Sequence, residues 1–238
     1  FGNFYGYLEF SQTADAGGKF QSPVLPSSGS VTASAAGQPS GSATLSLGQT
    51  SIVITLPPKL TVTGRLVDAT NQSLAGHSVC LYGPNSSCAQ TQTDGTFSID
   101  LSAGSYSLRI TGYLKEYDGT GYSYYSIYQN GNVSVTDNLP LGDIKLETRR
   151  LRALVIDPDG QRVSNANLSS SVNVSFGNFY GYLEYSQTTA LDGRVQTVVL
   201  PSTGSVSISP SATSGLTPFV INGVTITGDH NLAVSVQF

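Results

Sequence analysis

FGNFYGYLEFSQT at Phe1–Thr13 returns as FGNFYGYLEYSQT at Phe176–Thr188, with twelve of thirteen positions identical. Such a repeat sets the unit that must fold, so it precedes any reading of local structure. The offset of 175 continues without a gap. Gly18-Lys19-Phe20-Gln21 faces Gly193-Arg194-Val195-Gln196, and Leu25-Pro26-Ser27 with Gly29-Ser30-Val31 faces Leu200-Pro201-Ser202 with Gly204-Ser205-Val206. Both copies end in an alternating stretch, Ser51–Leu56 and Asn231–Val236.

A weaker similarity links the middle of the chain to its last third. Leu60–Asp68 resembles Leu151–Asp157 at a spacing of 91, and each opening strand runs into a polar turn. Thr93-Asp94-Gly95-Thr96-Phe97 matches Leu191-Asp192-Gly193-Arg194-Val195, and Ser102–Tyr106 matches Ser202–Val206. The chain divides into units 1–58, 59–148 and 149–238 in the pattern A, B, A. Phe1 aligns with Phe176 whereas the last unit opens at Arg149, so the first unit lacks two strands. The expectation is a window of a longer tandem array, with strand exchange between chains as the alternative.

The secondary structure reads as all β. Phe97–Leu101, Ser105–Ile110 and Val195–Leu200 are short, rich in Val, Ile, Tyr, Phe and Thr, and alternate with period two. Asp-Gly, Asn-Gly and Leu-Pro pairs punctuate them, and no helical stripe competes. Units of this size accommodate seven-stranded Greek-key β-sandwiches of the transthyretin-like or Ig-like kind, stacked in tandem.

Gly64-Arg65-Leu66-Val67-Asp68, Leu74–Leu81, Thr93–Ile99, Ala103–Leu108 and Gly112-Tyr113 follow one another at a recognisable spacing. Over these residues the middle unit resembles the carboxypeptidase regulatory-like domain, a transthyretin-like sandwich. The last unit resembles it more loosely through Asp157–Leu168 and Asp192–Ile208, departing by inserting FGNFYGYLEYSQ between the halves. The resemblance implies a structural or accessory module.

Chemistry-bearing residues are few. The 238 residues hold 2 Cys, 2 His and no Met or Trp, and only 11% are charged. A net charge of −4 with 11 Lys+Arg argues against nucleic acid as a partner, and no apolar run is long enough to span a membrane. No cofactor, metal site or catalytic constellation is expected; His77 and His230 read as surface or turn residues. Asp157 and Asp159 read as turn formers rather than calcium ligands. Cys80 and Cys88 read as a disulfide, which implies an oxidising, extracellular or cell-surface location. Asn71, Asn85, Asn132, Asn167 and Asn173 begin Asn-X-Ser sequons and are candidate glycosylation sites.

Tyrosine is the remaining signal. Tyr5 and Tyr7 recur as Tyr180 and Tyr182, and Tyr122, Tyr124 and Tyr125 form a second cluster. Half of each set should face a core, while the rest could stack on sugar rings or on a neighbouring subunit. The leading expectation is a non-enzymatic structural segment of an extracellular filament, stalk or adhesin, assembling with copies of itself. A carbohydrate-binding module with glycan partners is the first alternative, and an accessory domain of a secreted peptidase, from the resemblance alone, is the second.

Overall fold

The computed structural model describes residues 8–22, 27–36, 38–114, 121–212 and 214–235. The chain forms two compact units, Phe1–Lys59 and Leu60–Phe238. Among the described residues there is no helix, and so none long and apolar enough to cross a membrane.

Among the described residues of the first unit, one hairpin is paired. Strands β1 (Gly29–Ala33) and β2 (Gly41–Leu45) run antiparallel, with Gly29 opposite Leu45 and Ala33 opposite Gly41. The alternating Ser51–Leu56 stretch passes beside β2, close enough that a Cβ on Gly41 would strike the Thr55 carbonyl oxygen.

The second unit is built twice from the same plan. Its first half contains β3 (Leu60–Val67), β4 (Ser78–Tyr82), β5 (Ser87–Gln90), β6 (Thr96–Leu101), β7 (Gly104–Leu114), β8 (Tyr122–Gln129), β9 (Val133–Val135) and β10 (Leu139–Lys145). Its second half contains β11 (Arg149–Ile156), β12 (Asn167–Phe176), β13 (Phe179–Thr188), β14 (Arg194–Val199), β15 (Ser202–Ser209), β16 (Phe219–Ile226) and β17 (His230–Ser235). Alternation makes these strands two-faced. β6 buries Phe97, Ile99 and Leu101 and leaves Thr96, Ser98 and Asp100 outside, and β14 buries Val195, Thr197 and Val199 in the same way.

The topology repeats with the plan. One three-stranded sheet has the order β10-β3-β6, with β10 parallel and β6 antiparallel to β3. Its counterpart is β17-β11-β14, with β17 parallel and β14 antiparallel to β11. The opposing strands are β8-β7-β4-β5 in one half and β16-β15-β12-β13 in the other. Each half is therefore a β-sandwich of a three-stranded and a four-stranded layer, and one contiguous apolar cluster runs through both.

Hydrogen bonds at the turns fix the correspondence residue by residue. Asp68 Oδ1 accepts from the Thr70 and Gln72 amides, as Asp157 Oδ1 accepts from Asp159 and Gln161. Leu66 N donates to Gly95 O, and Val155 N to Gly193 O. Asp68 thus matches Asp157 at a spacing of 89, which corrects the 91 read from the strand sequences; the turn geometry sets the register, and the apolar residues alone do not. Both Asp157 and Asp159 lie in that turn, where Asp157 is occupied by amides.

The same bonds locate the insertion. Ala166 N donates to Thr189 Oγ1 across 23 positions, where His77 N donates to Thr91 Oγ1 across 14. The hairpin of β12 and β13 is thus nine residues longer than that of β4 and β5, and FGNFYGYLEYSQT is its tip and returning strand. Two expectations need correction. His77 is buried, not a surface residue, with Nδ1 bonded to the Tyr125 hydroxyl at 2.8 Å. Tyr125 is completely buried, because Ser123, Tyr125 and Ile127 form the inward face of β8.

Candidate functional site

The lengthened hairpin reaches the neighbouring sandwich. β13 pairs antiparallel with β8 from Phe179↔Gln129 to Ser186↔Tyr122, while its other edge pairs with β12. The two four-stranded layers thereby become one sheet in the order β16-β15-β12-β13-β8-β7-β4-β5, with β9 on β7 beside it. The Asn178 side chain fastens the tip by donating Nδ2 to Asn130 O at 3.1 Å, and the Asn130 amide donates to Asn178 O at 2.8 Å.

Two glycines let the strands approach. A Cβ at Gly181 would land on the Ser126 carbonyl oxygen and lie 2.8 Å from Ile127 Cα. A Cβ at Gly121 would land on the Ser186 carbonyl oxygen. Beneath the pairing lies a buried polar group: Ser123 Oγ is 3.0 Å from Thr197 Oγ1, and Gln187 Nε2 donates to the same Thr197 oxygen at 3.3 Å. These contacts fix the second sandwich against the first, because shifting β13 by one residue would turn Gln187 out of the core and a half-buried neighbour, Ser186 or Thr188, in.

The outer face of the junction carries the tyrosines. Tyr113, Tyr122, Tyr180 and Tyr182 are exposed, and Tyr124 and Tyr128 are half-buried. Tyr113 and Tyr124 are directly opposed with ring centroids 5.2 Å apart, Tyr124 and Tyr182 are 6.1 Å apart, and Tyr128 stacks on Tyr180 at 5.9 Å. Arg109 sits 5.4 Å above the Tyr128 ring and donates Nε to Ser126 Oγ. The rings thus form a ladder over β7, β8 and β13, a cross-strand arrangement worth about 0.2–1 kcal/mol per pair. Partial burial and the hydrogen bond to Tyr182 raise the Tyr124 pKa. Tyr5 and Tyr7 lie outside the described residues.

Tyr185 points inward, where burial pushes its pKa up to about 12 against the opposing bond from Ser170. An unfolded tyrosine titrates near 10. The folded state therefore favours the protonated phenol, and this contribution is intact below about pH 10 and lost as pH rises through about 12. Tyr185→Phe installs the residue of the first copy, Phe10, and is expected to flatten the alkaline fall in stability. Urea titrations at neutral and alkaline pH read it, and an unchanged alkaline slope would refute the assignment.

At the opposite edge of the large sheet, Cys80 and Cys88 occupy facing positions of β4 and β5 and are joined by a disulfide. β5 is four residues long, so this edge is short and pinned, a form that discourages further strand addition. Cys80→Ala with Cys88→Ala is expected to cost about 2.5 kcal/mol from the small loop the bridge closes. A shift in urea midpoint equal to that of untouched protein under reductant would confirm it; no shift would contradict it.

The sequons are distributed over both sandwiches. Asn71 sits at a turn with φ of 65°, and Asn71, Asn132 and Asn173 are exposed. Asn85 is half-buried and its Oδ1 accepts from Ser102 Oγ, and Asn167 donates Nδ2 to Ser186 Oγ. Among the described residues no cluster of His, Cys, Asp and Glu could hold a metal ion. The His230 side chain lies outside the described residues.

No family model and no curated protein matches the chain. Among solved structures it is similar to a Streptococcal ancillary pilin, at 15% identity over 87% of this chain and 73% of that one, with a TM-score of 0.35. The shaft pilin SpaA from Lactobacillus rhamnosus GG matches at 9% identity over 76% of this chain and 98% of that one, TM-score 0.37. The C-terminally truncated tip fimbrial protein Mfa3 from Porphyromonas gingivalis matches at 9% identity over 72% and 83%, TM-score 0.35.

Proposed function

We propose that the chain is a structural segment of an extracellular or cell-surface filament, stalk or adhesin, made of a partial sandwich at 1–58 and sandwiches at 59–148 and 149–238. One observation carries this reading: the pairing of β8 with β13, which runs a single sheet through two consecutive sandwiches. Interfaces between domains of one chain commonly leave them free to move. A backbone ladder removes that freedom, which suits a part that transmits force or holds a spacing. The disulfide supports an oxidising location. Self-association into a polymer belongs to the same proposal, by contacts between copies that do not close on themselves.

Immunogold labelling of intact producing cells tests it, with antibody raised against this chain. Label along surface fibres or stalks is expected. Label confined to the cell interior, or to monodisperse secreted particles, would overturn the reading.

The exposed tyrosines favour a second reading, sugar stacking. Tilts of 52° and 53° between successive rings of the ladder fit packing against one another better than a flat platform. A glycan array with the wild-type chain and Tyr182→Ala separates the two; binding that Tyr182→Ala abolishes would establish a sugar site.

A further inference from the structure

Oxidation in this chain falls on tyrosine. The sequence holds 13 Tyr and no Met or Trp, and its 2 Cys are joined in the Cys80–Cys88 disulfide. Thioether and free thiol, the groups that oxidants ordinarily take first, are therefore absent. The phenols are also gathered. Tyr113, Tyr124, Tyr128, Tyr180 and Tyr182 stand in ring pairs on the outer face of β7, β8 and β13, while Tyr106, Tyr125 and Tyr185 are buried beneath it.

The pairs differ in what they connect. Tyr113 and Tyr124 belong to the same sandwich, with centroids 5.2 Å apart. Tyr124 of β8 meets Tyr182 of β13 at 6.1 Å, and Tyr128 of β8 meets Tyr180 of β13 at 5.9 Å, so these two pairs bridge the sandwiches. Tyr124 and Tyr182 approach by their polar ends, because their hydroxyls share a hydrogen bond. That approach gathers the Cε carbons beside each hydroxyl, which carry unpaired spin once a phenol has lost a hydrogen atom. Tyr128 and Tyr180 instead lie face to face at 27°, and Arg109 sits 5.4 Å over the Tyr128 ring. Its positive charge opposes removal of an electron from that ring.

We propose that Tyr124 and Tyr182 are an oxidative cross-linking site, where a carbon–carbon bond between one Cε of each ring joins the two sandwiches covalently. The oxidant is hydrogen peroxide acting through a haem peroxidase, a separate protein. Each phenol gives up one electron and its hydroxyl proton, and the peroxide takes both electrons and both protons to become two waters. The two radicals then couple at Cε, and the hydrogen on each coupled carbon moves to the oxygen of its ring, restoring both phenols. Oxidant reaches the pair from outside, since Tyr182 is 39% exposed and Tyr113, packed on Tyr124, is 64% exposed. The bond requires only the folded unit Leu60–Phe238, so it holds whatever the chain builds at a surface.

Treating the full chain with hydrogen peroxide and a haem peroxidase, then digesting it for mass spectrometry, tests the proposal. The expected product joins the peptides carrying Tyr124 and Tyr182 and is lighter than their sum by two hydrogens. At roughly 1 µM protein, an effective concentration of about 1 mM favours the bond within a chain about 1,000-fold over one between chains. The product should vanish in Tyr124→Phe and in Tyr182→Phe, and persist when Tyr128→Phe and Tyr180→Phe are combined. Fragment ions from the wild-type product locate the bond without recourse to any variant; a main bond between Tyr124 and Tyr182 supports the site, and one at any other pair overturns it. Survival of the product in either single variant, or joining only between chains, overturns it as well. So does the absence of any joined product while free tyrosine couples in the same reaction.

Discussion

Gly181→Val separates the two sandwiches of Leu60–Phe238. The new Cβ cannot be placed without moving the Ser126 carbonyl oxygen or the Ile127 backbone, and neither is the end of a flexible side chain. β13 must leave β8 locally, taking with it the register from Phe179↔Gln129 to Ser186↔Tyr122. Overpacking and lost ladder bonds together cost about 3–5 kcal/mol. For a unit of this size that is a fall in Tm of roughly 10 °C. Unfolding should broaden or divide into two transitions, because the sandwiches then lose the backbone ladder and keep side-chain contacts such as Ser123 with Thr197. Gly228→Ala is the control: a Cβ there meets nothing within 4 Å, and Tm should stay put. Calorimetry on the three proteins decides, and a single unshifted transition in Gly181→Val would show that the shared sheet does not couple the halves.

The second large effect is Tyr125→Ala. This side chain is wholly buried on β8, facing Leu183 across the junction, and its hydroxyl bonds His77 Nδ1. Burial raises its pKa well above the usual tyrosine value, which keeps the hydroxyl protonated. Removing the ring should cost about 3–5 kcal/mol through the cavity left behind. Tyr125→Phe keeps the ring and loses only the bond to His77, with an expected cost of about 1–2 kcal/mol. Denaturant midpoints read both. If the two variants are equally destabilised, the hydroxyl carries the effect and the packing argument fails.

The sequence and the structure agree where the signal is local. Asp68, Asp94, Asp157 and Asp192 mark turns because a short carboxylate can accept the backbone amides that follow it, and the structure shows those bonds. The all-β architecture follows from alternation such as Phe97, Ile99 and Leu101. The junction was not legible, since β8 and β13 lie in different repeats and nothing local in YSYYSIYQ names its partner. The adjacent Tyr124 and Tyr125 illustrate the difficulty. Both are aromatic, alternation must send one out and one in, and only the pairing with β7 and β13 decides which. His77 departs from a surface placement for a related reason: its polar ring is accepted by the core because Gly112 leaves space for it and Tyr125 supplies a hydroxyl.

The pairing of β8 with β13 also has a dimension in time. Facing residues such as Tyr125 and Leu183 are separated by roughly 60 positions, and ribosomes add roughly 5–20 residues each second. For about 3–12 s of synthesis the edge of β8 is complete and has no strand to bind. Any nascent neighbour carrying FGNFYGYLE could occupy it in that interval. Translation speed between Gln129 and Phe179, and the spacing of ribosomes on the message, therefore bear on how much of this protein is made correctly.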